Sequence, residues 1–307
     1  MLAVDDPLIP QFHKDDAHSG VTITEHSHHD TYEAINPRKL NLAGKSVFIT
    51  GASRGIGRSI AVSYTQAGVA FLALAARGSM DDTVKAIEKA AAEVKKPAPT
   101  LLRLTVDASD PKSVEAAAAK AKEALAGKPL DILVNNAGVL EPNAVVHESD
   151  PSDWWRTFEI NLKGVYLASR ALIPLLLEGQ GDRTIVNLTS IGGILVMDGM
   201  SAYNTSKLSV CRLTEFLAQE YRDSKLVTMA VHPGGVVSDM SLSLPENLHG
   251  AITDTAELVA DSIVYLTREP QHWLTGRYVS VQWDLTELEA KKDEVVSKDL
   301  LKNKLMV

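Results

Sequence analysis

Short apolar runs alternate with stretches of helical periodicity along most of this chain. The apolar runs predict β-strands at 46–50, 69–76, 100–107, 130–138, 183–190, 225–232 and 277–283. Apolar residues spaced for one helix face predict helices at 55–68, 81–96, 110–127, 152–177, 201–222 and 254–267. Continuous apolar strands that alternate with helices indicate a parallel sheet covered by helices on both faces. The predicted fold class is therefore α/β, with one doubly wound parallel sheet of about seven strands in a single domain.

The first 40 residues differ from the rest of the chain and predict a polar N-terminal arm. This segment contains three prolines and five of the nine histidines: His13, His18, His26, His28 and His29. The run HSHHD could bind a metal, but no helical or turn pattern fixes its side chains, so we predict no metal site. Both a flexible arm and one that lies on a neighbouring surface fit the pattern. We place the main domain at 41–285 and a helical C-terminal tail at 286–307.

Composition and charge exclude several classes of protein. The 307 residues are 45% hydrophobic, with a net charge of −8 and a pI of about 5.6, which argues against a nucleic-acid partner because such binding needs a basic footprint. The only cysteine is Cys211, so no internal disulfide can form, which fits a reducing compartment. No run reaches the roughly 18 apolar residues of a membrane span, and the N-terminus lacks the pattern of a secretory signal. We therefore expect a cytoplasmic protein without a membrane partner.

A glycine-rich turn, TGASRGIG at 50–57, lies between the first predicted strand and the first predicted helix. Gly51, Gly55 and Gly57 allow the backbone to turn tightly and to approach a pyrophosphate, which then lies at the helix N-terminus. The spacing is G-x-x-x-G-x-G, so the common G-x-G-x-x-G fingerprint is not the match. The strand before the turn and the helix after it are the context that a dinucleotide site requires.

A second pattern, SAYNTSK at 201–207, puts Tyr203 and Lys207 four residues apart on one face of a predicted helix. A phenol and an ammonium group held on one face can share a proton-transfer step. The same spacing also occurs in ordinary surface pairs. The pair alone therefore does not decide between the two interpretations.

Four further motifs, read together with the glycine turn and YNTSK, resemble the short-chain dehydrogenase/reductase family. They are NNAG (135–138), EINLKG (159–164), LTS (188–190) and HPGGVVS (232–238). The resemblance covers about residues 42–283, with the motifs in order and at the family's spacing, and the C-terminal tail looks like that of fungal members. It implies a Rossmann-type sheet, and it makes 41–285 a cofactor-binding catalytic domain.

The family resemblance also implies the catalytic residues. Tyr203 would be the general acid/base, and Lys207 would hold the nicotinamide ribose and lower the pKa of the phenol, which is about 10 when unperturbed. Ser190, thirteen residues before Tyr203, would hold the substrate carbonyl oxygen. Asn161 would hold a water molecule beside the lysine and complete a path for protons.

The resemblance implies NADP(H) as the cofactor. An acidic residue at the end of the second strand would select NAD, but that position holds Ala76, and Arg77 and Arg54 would suit a 2′-phosphate. Asp107 matches the position that contacts adenine, although it could equally cap a helix or turn. Ser238 replaces the family's usual threonine and keeps its hydroxyl group. The implied cofactor-binding residues are Gly51, Ser53, Arg54, Gly55, Ile56, Gly57, Arg77, Asp107, Asn135, Ala137, Gly138, Tyr203, Lys207, Pro233, Gly234, Val236 and Ser238.

The leading hypothesis is an NADPH-dependent reductase that converts a small-molecule ketone or aldehyde to an alcohol. The alternatives are an NAD-linked alcohol dehydrogenase, a non-redox or multifunctional biosynthetic enzyme, and a dinucleotide sensor without redox activity. The sensor is disfavoured because all four implied catalytic residues are present. The long polar loop at 238–254 is the expected lid over the substrate. The apolar helices at 152–177 and after Tyr203, together with the habit of the family, predict a homodimer or homotetramer.

Overall fold

The predicted strands form one parallel sheet in the computed structural model, which describes residues 23–305 apart from the side chain of Asn247. Within this range the strands β1 to β7 are Ser46–Thr50, Phe71–Ala76, Thr100–Thr105, Ile132–Asn135, Thr184–Leu188, Val227–His232 and Arg277–Ser280. Their spatial order is β3-β2-β1-β4-β5-β6-β7, and every neighbouring pair is parallel. The order reverses between β1 and β4, which is where doubly wound sheets bind ligands at the strands' carboxyl ends. The predicted fold class is confirmed.

The helices connect the strands in the predicted alternation. In the described range α1 to α9 are Gly55–Ala67, Asp81–Val94, Pro111–Leu125, Pro151–Phe158, Gly164–Leu177, Ser201–Glu220, Ala256–Leu266, Leu285–Ala290 and Lys292–Ser297. Local chemistry fixes where several of them begin. Asp110 and Asp150 each accept hydrogen bonds from two backbone N–H groups of the first turn that follows, and each is followed by a proline.

Two apolar clusters cover the two faces of the sheet. Val47 and Ile49 of β1 belong to one cluster with α1 and α7, whereas Phe48 between them belongs to the other with α3 and α5. Because successive side chains of a strand point to opposite faces, the clusters lie on opposite sides of the sheet. This double burial explains why β1, β2 and β4 to β7 are apolar without alternation.

The long helix predicted at 152–177 is interrupted in the structure. A π-helical turn, Glu159–Lys163, joins α4 to α5, and the pattern of the sequence did not reveal it. Single π-helical turns inside α-helices are frequent at functional sites. Taken as one span, Pro151–Leu177 has the length and mean hydropathy (1.3) of a membrane helix, but 61% of its most apolar window is buried within the protein, as in the core helix of a globular domain.

Part of the predicted N-terminal arm lies against the domain. Residues 23–40 include two short 3-10 turns, Glu33–Ile35 and Pro37–Lys39, and the side chain of Ile35 is fully buried in the core. The predicted histidines His13 and His18 lie outside the described residues. Among residues 23–305, no group of three or more histidine, cysteine or acidic side chains is placed to hold a metal ion.

Candidate active site

The glycine turn brings the end of β1 close to the start of α1. Gly51 and Gly55 have positive φ values of 69° and 53°, which favour glycine. A Cβ atom on Gly57 would collide with the carbonyl oxygen of Gly51. The turn therefore needs these glycines to pack, and it leaves the first N–H groups of α1 free for an anion. Arg58, which the motif did not single out, donates to the carbonyl of Ser53 at 3.0 Å and steadies the turn.

The NNAG motif connects the glycine turn to the centre of the sheet. Asn136 donates from its side chain to the carbonyls of Thr50 (2.9 Å) and Gly51 (3.1 Å), a contact that sequence reasoning missed. The buried Asn135 donates to Asn187 Oδ1 of β5 at 2.8 Å, which ties two central strands together. A Cβ atom on Gly51 would lie 2.9 Å from Ala137 Cα, so the two turns are in direct contact.

The structure brings Ser190, Tyr203 and Lys207 together. Ser190 follows β5, Tyr203 lies in the first turn of α6, and the Ser190 side chain is near enough to Tyr203 to lower the pKa of the phenol. Lys207 Nζ lies 5.6 Å from the centre of the Tyr203 ring and donates to the carbonyl of Leu188 at 2.9 Å. Tyr203 and Lys207, four residues apart on α6, therefore lie near the carboxyl end of β5. They are not a simple surface pair, because Lys207 is only 5% exposed.

Asn161 occupies the π-helical turn and faces the same centre. Its side-chain amide accepts from Val139 N (2.8 Å) and donates to Val139 O (2.9 Å) and to Ser206 Oγ (3.1 Å). A Cβ atom on Gly138 would lie 3.3 Å from Asn161 Oδ1 and 3.6 Å from Lys207 Nζ. The amide thus fixes the loop after β4 against α6, and the role of Asn161 in holding a water molecule stays a prediction.

The pKa of Tyr203 is raised in this structure. Burial raises it above 10, the charge of Glu141 raises it further, and the hydrogen bond from Ser190 opposes the change. Burial also lowers the pKa of Lys207 to about 8. The expected lowering of the phenol's pKa depended on Lys207 together with a bound nicotinamide ring, so it stays a prediction for the protein with its cofactor, whereas burial is the largest cause of the shift in this structure. At neutral pH the phenol keeps its proton and is ready to donate it.

Glu141 is the main site residue that sequence reasoning missed. It lies three residues after NNAG, its side chain is buried, and its Oε1 accepts from the backbone N–H of Tyr203 at 2.9 Å. Its Oε2 is buried without a hydrogen-bond partner in the described part of the chain. An acidic group at a helix N-terminus is favoured by the helix dipole. A single glutamate after a motif carries no periodic signal, so only the fold could place it here.

At the predicted adenosine end of the site, the two arginines interact with different carboxyl groups. Arg77 follows Ala76 at the end of β2, and its charge acts on the carboxyl group of Asp107 after β3. Hydrogen bonds from Ser109 are the larger reason that the pKa of Asp107 is lowered, so Asp107 also fixes its own turn. Arg54 is 72% exposed and forms an ion pair with Asp239 of the loop at 238–254.

The loop after β6 closes the opposite end of the site. Gly234 has a φ of 74°, and Gly235 N donates to Asp254 Oδ2 at 2.6 Å. Val236 forms an isolated bridge with Asp254, and Ser238 is bonded to Ser241, where the predicted lid begins. Pro233 precedes this turn. The loop from 238 to 254 contains two 3-10 turns, Ser241–Ser243 and Glu246–Ala251.

His232, at the end of β6, is a further site residue that the sequence did not reveal. Its Nδ1 accepts from Ile191 N at 3.1 Å, and burial lowers its pKa to about 3. The neutral ring therefore holds the turn that follows Ser190 against β6. All of these groups lie at the carboxyl ends of the strands, where open α/β sheets bind their ligands. They are the glycine turn, the proton-transfer residues and the loops that follow β4 and β6.

Comparisons with known proteins agree with this arrangement. The sequence profile described as short chain dehydrogenase matches residues 45–249. The short chain dehydrogenase mpl6 of Monascus purpureus is 47% identical over 289 residues, which cover 94% of this chain and 98% of that protein. The short chain dehydrogenase andI of Emericella variicolor is 42% identical over 90% of this chain and 93% of its own length.

Solved structures give the same picture of the fold. A double mutant of a Serratia marcescens short-chain dehydrogenase/reductase is 27% identical with a TM-score of 0.67, covering 78% of this chain and 96% of its own. Levodione reductase is 25% identical with a TM-score of 0.68, covering 80% of this chain and 97% of its own. Carveol dehydrogenase of Mycobacterium avium, solved in complex with NAD, is 24% identical with a TM-score of 0.69, covering 81% of this chain and 100% of its own, which shows a shared fold.

Proposed function

This chain belongs to the short-chain dehydrogenase family, as its motifs and its fungal relatives agree, and we propose that it is an NADPH-dependent reductase of ketones or aldehydes. The observation that carries the proposal is the group formed by the half-buried Tyr203 with the buried Ser190 and Lys207 beside the glycine turn. The chain's residues fit a dinucleotide, because the glycine turn joins the end of β1 to the N-terminus of α1, where backbone N–H groups can receive a pyrophosphate. The family's use of nicotinamide cofactors supports this assignment.

The proposed reaction divides the work among the chain's own residues. When bound, the reduced nicotinamide supplies a hydride to the carbonyl carbon of the substrate. Ser190 holds the carbonyl oxygen, and Tyr203 gives its phenolic proton to that oxygen, so that the product is an alcohol. Lys207 holds positive charge near the resulting phenolate, which then takes a proton from solvent. The raised pKa of Tyr203 supports the reducing direction, in which the phenol acts as an acid.

A screen of carbonyl compounds tests the proposal. The protein is mixed with NADPH and a panel of aliphatic, alicyclic and aromatic ketones and aldehydes, and the loss of NADPH absorbance is followed. We expect turnover of medium-sized, partly apolar members, because Val139, Leu140, Ile194 and Met197 lie in the loops that flank Ser190 and Tyr203. Conversion of substrate in the absence of any nicotinamide would favour the non-redox alternative.

Glu141 gives the proposed reaction a pH dependence. The charge of Glu141 disfavours the phenolate form of Tyr203, so Glu141→Gln removes that effect and keeps an oxygen that accepts from Tyr203 N. The phenolate then forms at lower pH. Alcohol oxidation, which needs the phenolate, should rise at a pH lower by up to about one unit, which corresponds to roughly 1.4 kcal/mol. The measurement is kcat/KM for oxidation against pH.

Glu148→Gln is the matched control for this pH experiment. Glu148 lies in the same segment between β4 and α4 but is exposed, with a side chain that is 66% accessible. Its replacement should leave the pH profile unchanged. An unshifted profile in Glu141→Gln would show that Glu141 only caps α6.

We propose that the protein assembles as a homodimer or homotetramer through α4, α5 and α6. Trp155 and Tyr166 on the first two helices are 60% and 49% exposed, and Phe216 on α6 is 55% exposed. Large apolar side chains exposed together on neighbouring helices mark an interaction surface.

The placement of the protein in the cytoplasm is also a proposal, which the single buried cysteine supports.

Phe216→Lys should lower the molecular mass in solution. The new ammonium group would have to be desolvated in the assembled interface, which is strongly unfavourable unless it is paired. Light scattering at micromolar concentration should show an oligomer for the unaltered protein and a smaller species for the variant. Val296→Lys is the control, because Val296 is 48% exposed on α9, away from these helices. A monomer before any substitution would contradict the proposal.

A further inference from the structure

Residues Thr24–Ile35, which we call the histidine strap, lie outside the stretch that matches the family profile. The solved relatives are covered over 96–100% of their length, yet they cover only 78–82% of this chain. About a fifth of this chain therefore lies outside the part that it shares with each of those structures. The strap precedes the profile match, and its contacts with the domain are specific hydrogen bonds and ion pairs.

The first half of the strap contacts the segment 282–287, which follows β7. Ser27 forms an antiparallel bridge with Trp283, and His28 N donates to Gln282 O at 2.8 Å. His28 Nε2 pairs with Asp284 at 2.9 Å, and His26 pairs with Glu287 of α8. The strap and the segment 282–287 are therefore held together by backbone and side-chain hydrogen bonds.

The second half of the strap reaches the base of the loop that closes the site. His29 Nδ1 lies 2.5 Å from Asp254 Oδ1, and the carbonyl of His29 accepts from Thr255 N at 2.9 Å. The other oxygen of Asp254 accepts from Gly235 N at 2.6 Å and from Gln282 Nε2 at 2.9 Å. The side chain of Asp254 has no exposed area.

Asp254 is thus held on one side by the strap and presses on the other side against the turn at 233–238. A Cβ atom on Gly234 would collide with its carboxylate, and Asp254 N donates to Gly235 O at 2.9 Å. A buried carboxylate is costly unless its hydrogen bonds are complete. Burial raises the pKa of Asp254, and the bonds from His29, Gly235 and Gln282 oppose that rise. Loss of one donor would therefore loosen the turn that the carboxylate supports.

We propose that His29 is a positioning residue for the active site, which acts through Asp254 to hold the turn at 233–238 in the shape that accepts the nicotinamide end of the dinucleotide. The proposal rests on the proposed function, in which this turn borders the nicotinamide. It assigns the histidine-rich extension a role in cofactor affinity rather than in metal binding.

The test compares binding of two ligands by three variants. NADPH contacts both ends of the site, whereas adenosine 2′,5′-bisphosphate reaches only the adenosine end. His29→Ala should weaken NADPH by about five- to tenfold, since a hydrogen bond to a charged group is lost, and should leave the bisphosphate unchanged. His29→Asn, whose Nδ2 stands where Nδ1 of the histidine stands and can donate to Asp254, should restore NADPH affinity to within about twofold. Dissociation constants are measured by quenching of tryptophan fluorescence.

His26→Ala is the matched control. It removes another histidine–carboxylate pair of the same strap, but that pair reaches only α8. It should bind both ligands as the unaltered protein does. If His29→Ala does not fold, Gln282→Met tests the same idea from the other side, because it removes the second side-chain donor to Asp254 and should weaken NADPH selectively.

The outcomes separate the two proposals. An unaltered protein that binds no NADPH would overturn the proposed function. If the unaltered protein binds NADPH, an unchanged affinity in His29→Ala and Gln282→Met would overturn the positioning role alone. Equal weakening by His29→Ala and His26→Ala, or equal weakening of both ligands, would also overturn it, because the strap would then act only on general stability.

Discussion

Tyr203→Phe should lower kcat/KM for carbonyl reduction by about 10²–10⁴-fold, the usual contribution of general acid–base catalysis. The change removes one hydroxyl group and keeps the half-buried ring, whose centre lies 5.6 Å from Lys207 Nζ. The variant should fold and bind NADPH with unchanged affinity. The measurement is steady-state NADPH oxidation with the best carbonyl substrate of the panel.

Tyr221→Phe provides the matched control for that experiment. Tyr221 lies at the opposite end of α6 from Tyr203 and packs at the edge of the core cluster that contains α3 and α5. The same deletion of a hydroxyl group there should leave turnover unchanged. Retention of full activity by Tyr203→Phe would remove Tyr203 from the mechanism.

Ala76→Asp combined with Arg77→Leu should change the preference between NADPH and NADH by about one to three orders of magnitude. The change removes a charge-assisted contact with the 2′-phosphate, worth roughly 1.5–3 kcal/mol. It also adds a carboxylate that repels the phosphate and can bond the ribose hydroxyls of NAD. The net charge of −8 supplies no general attraction for a phosphate, so the preference must be local. The ratio of kcat/KM for the two cofactors measures it.

The structure sharpens which arginine should matter. Arg54 is paired with Asp239, so Arg54→Leu should have a smaller effect than Arg77→Leu. Arg103→Leu is a control for long-range charge, because Arg103 lies on β3 beside β2 and pairs with Asp81. A protein that prefers NADH from the start, or a double variant with an unchanged ratio, would contradict the assignment to NADP(H).

The sheet could be predicted from the sequence because burial on both faces leaves a strong signal. Predicted β1 matches the observed Ser46–Thr50, and β6, predicted from 225, begins at Val227. The predicted strand at 277–283 ends early, at Ser280, because the chain there turns towards α8. Short motifs likewise placed Ser190, Tyr203 and Lys207, since their spacing along the chain is set by β5 and the first turns of α6.

What the sequence could not show depends on contacts between distant segments. Glu141 and Tyr203 are brought together only when the loop after β4 packs on α6, and no periodicity marks such a contact. His29 and Asp254 are separated by 225 residues. The raised pKa of Tyr203 in this structure follows from burial, which a motif does not encode.

The central claim is hydride transfer from a nicotinamide to a carbonyl carbon with a proton from Tyr203. The most direct test uses NADPH that carries deuterium at the transferable position of nicotinamide C4, with a carbonyl substrate from the panel, and analyses the alcohol by mass spectrometry and NMR. The account predicts one deuterium on the carbinol carbon, at a rate that Tyr203→Phe lowers by about 10²–10⁴-fold. Turnover that leaves the carbinol carbon unlabelled with both C4 stereoisomers of the deuterated NADPH would contradict it.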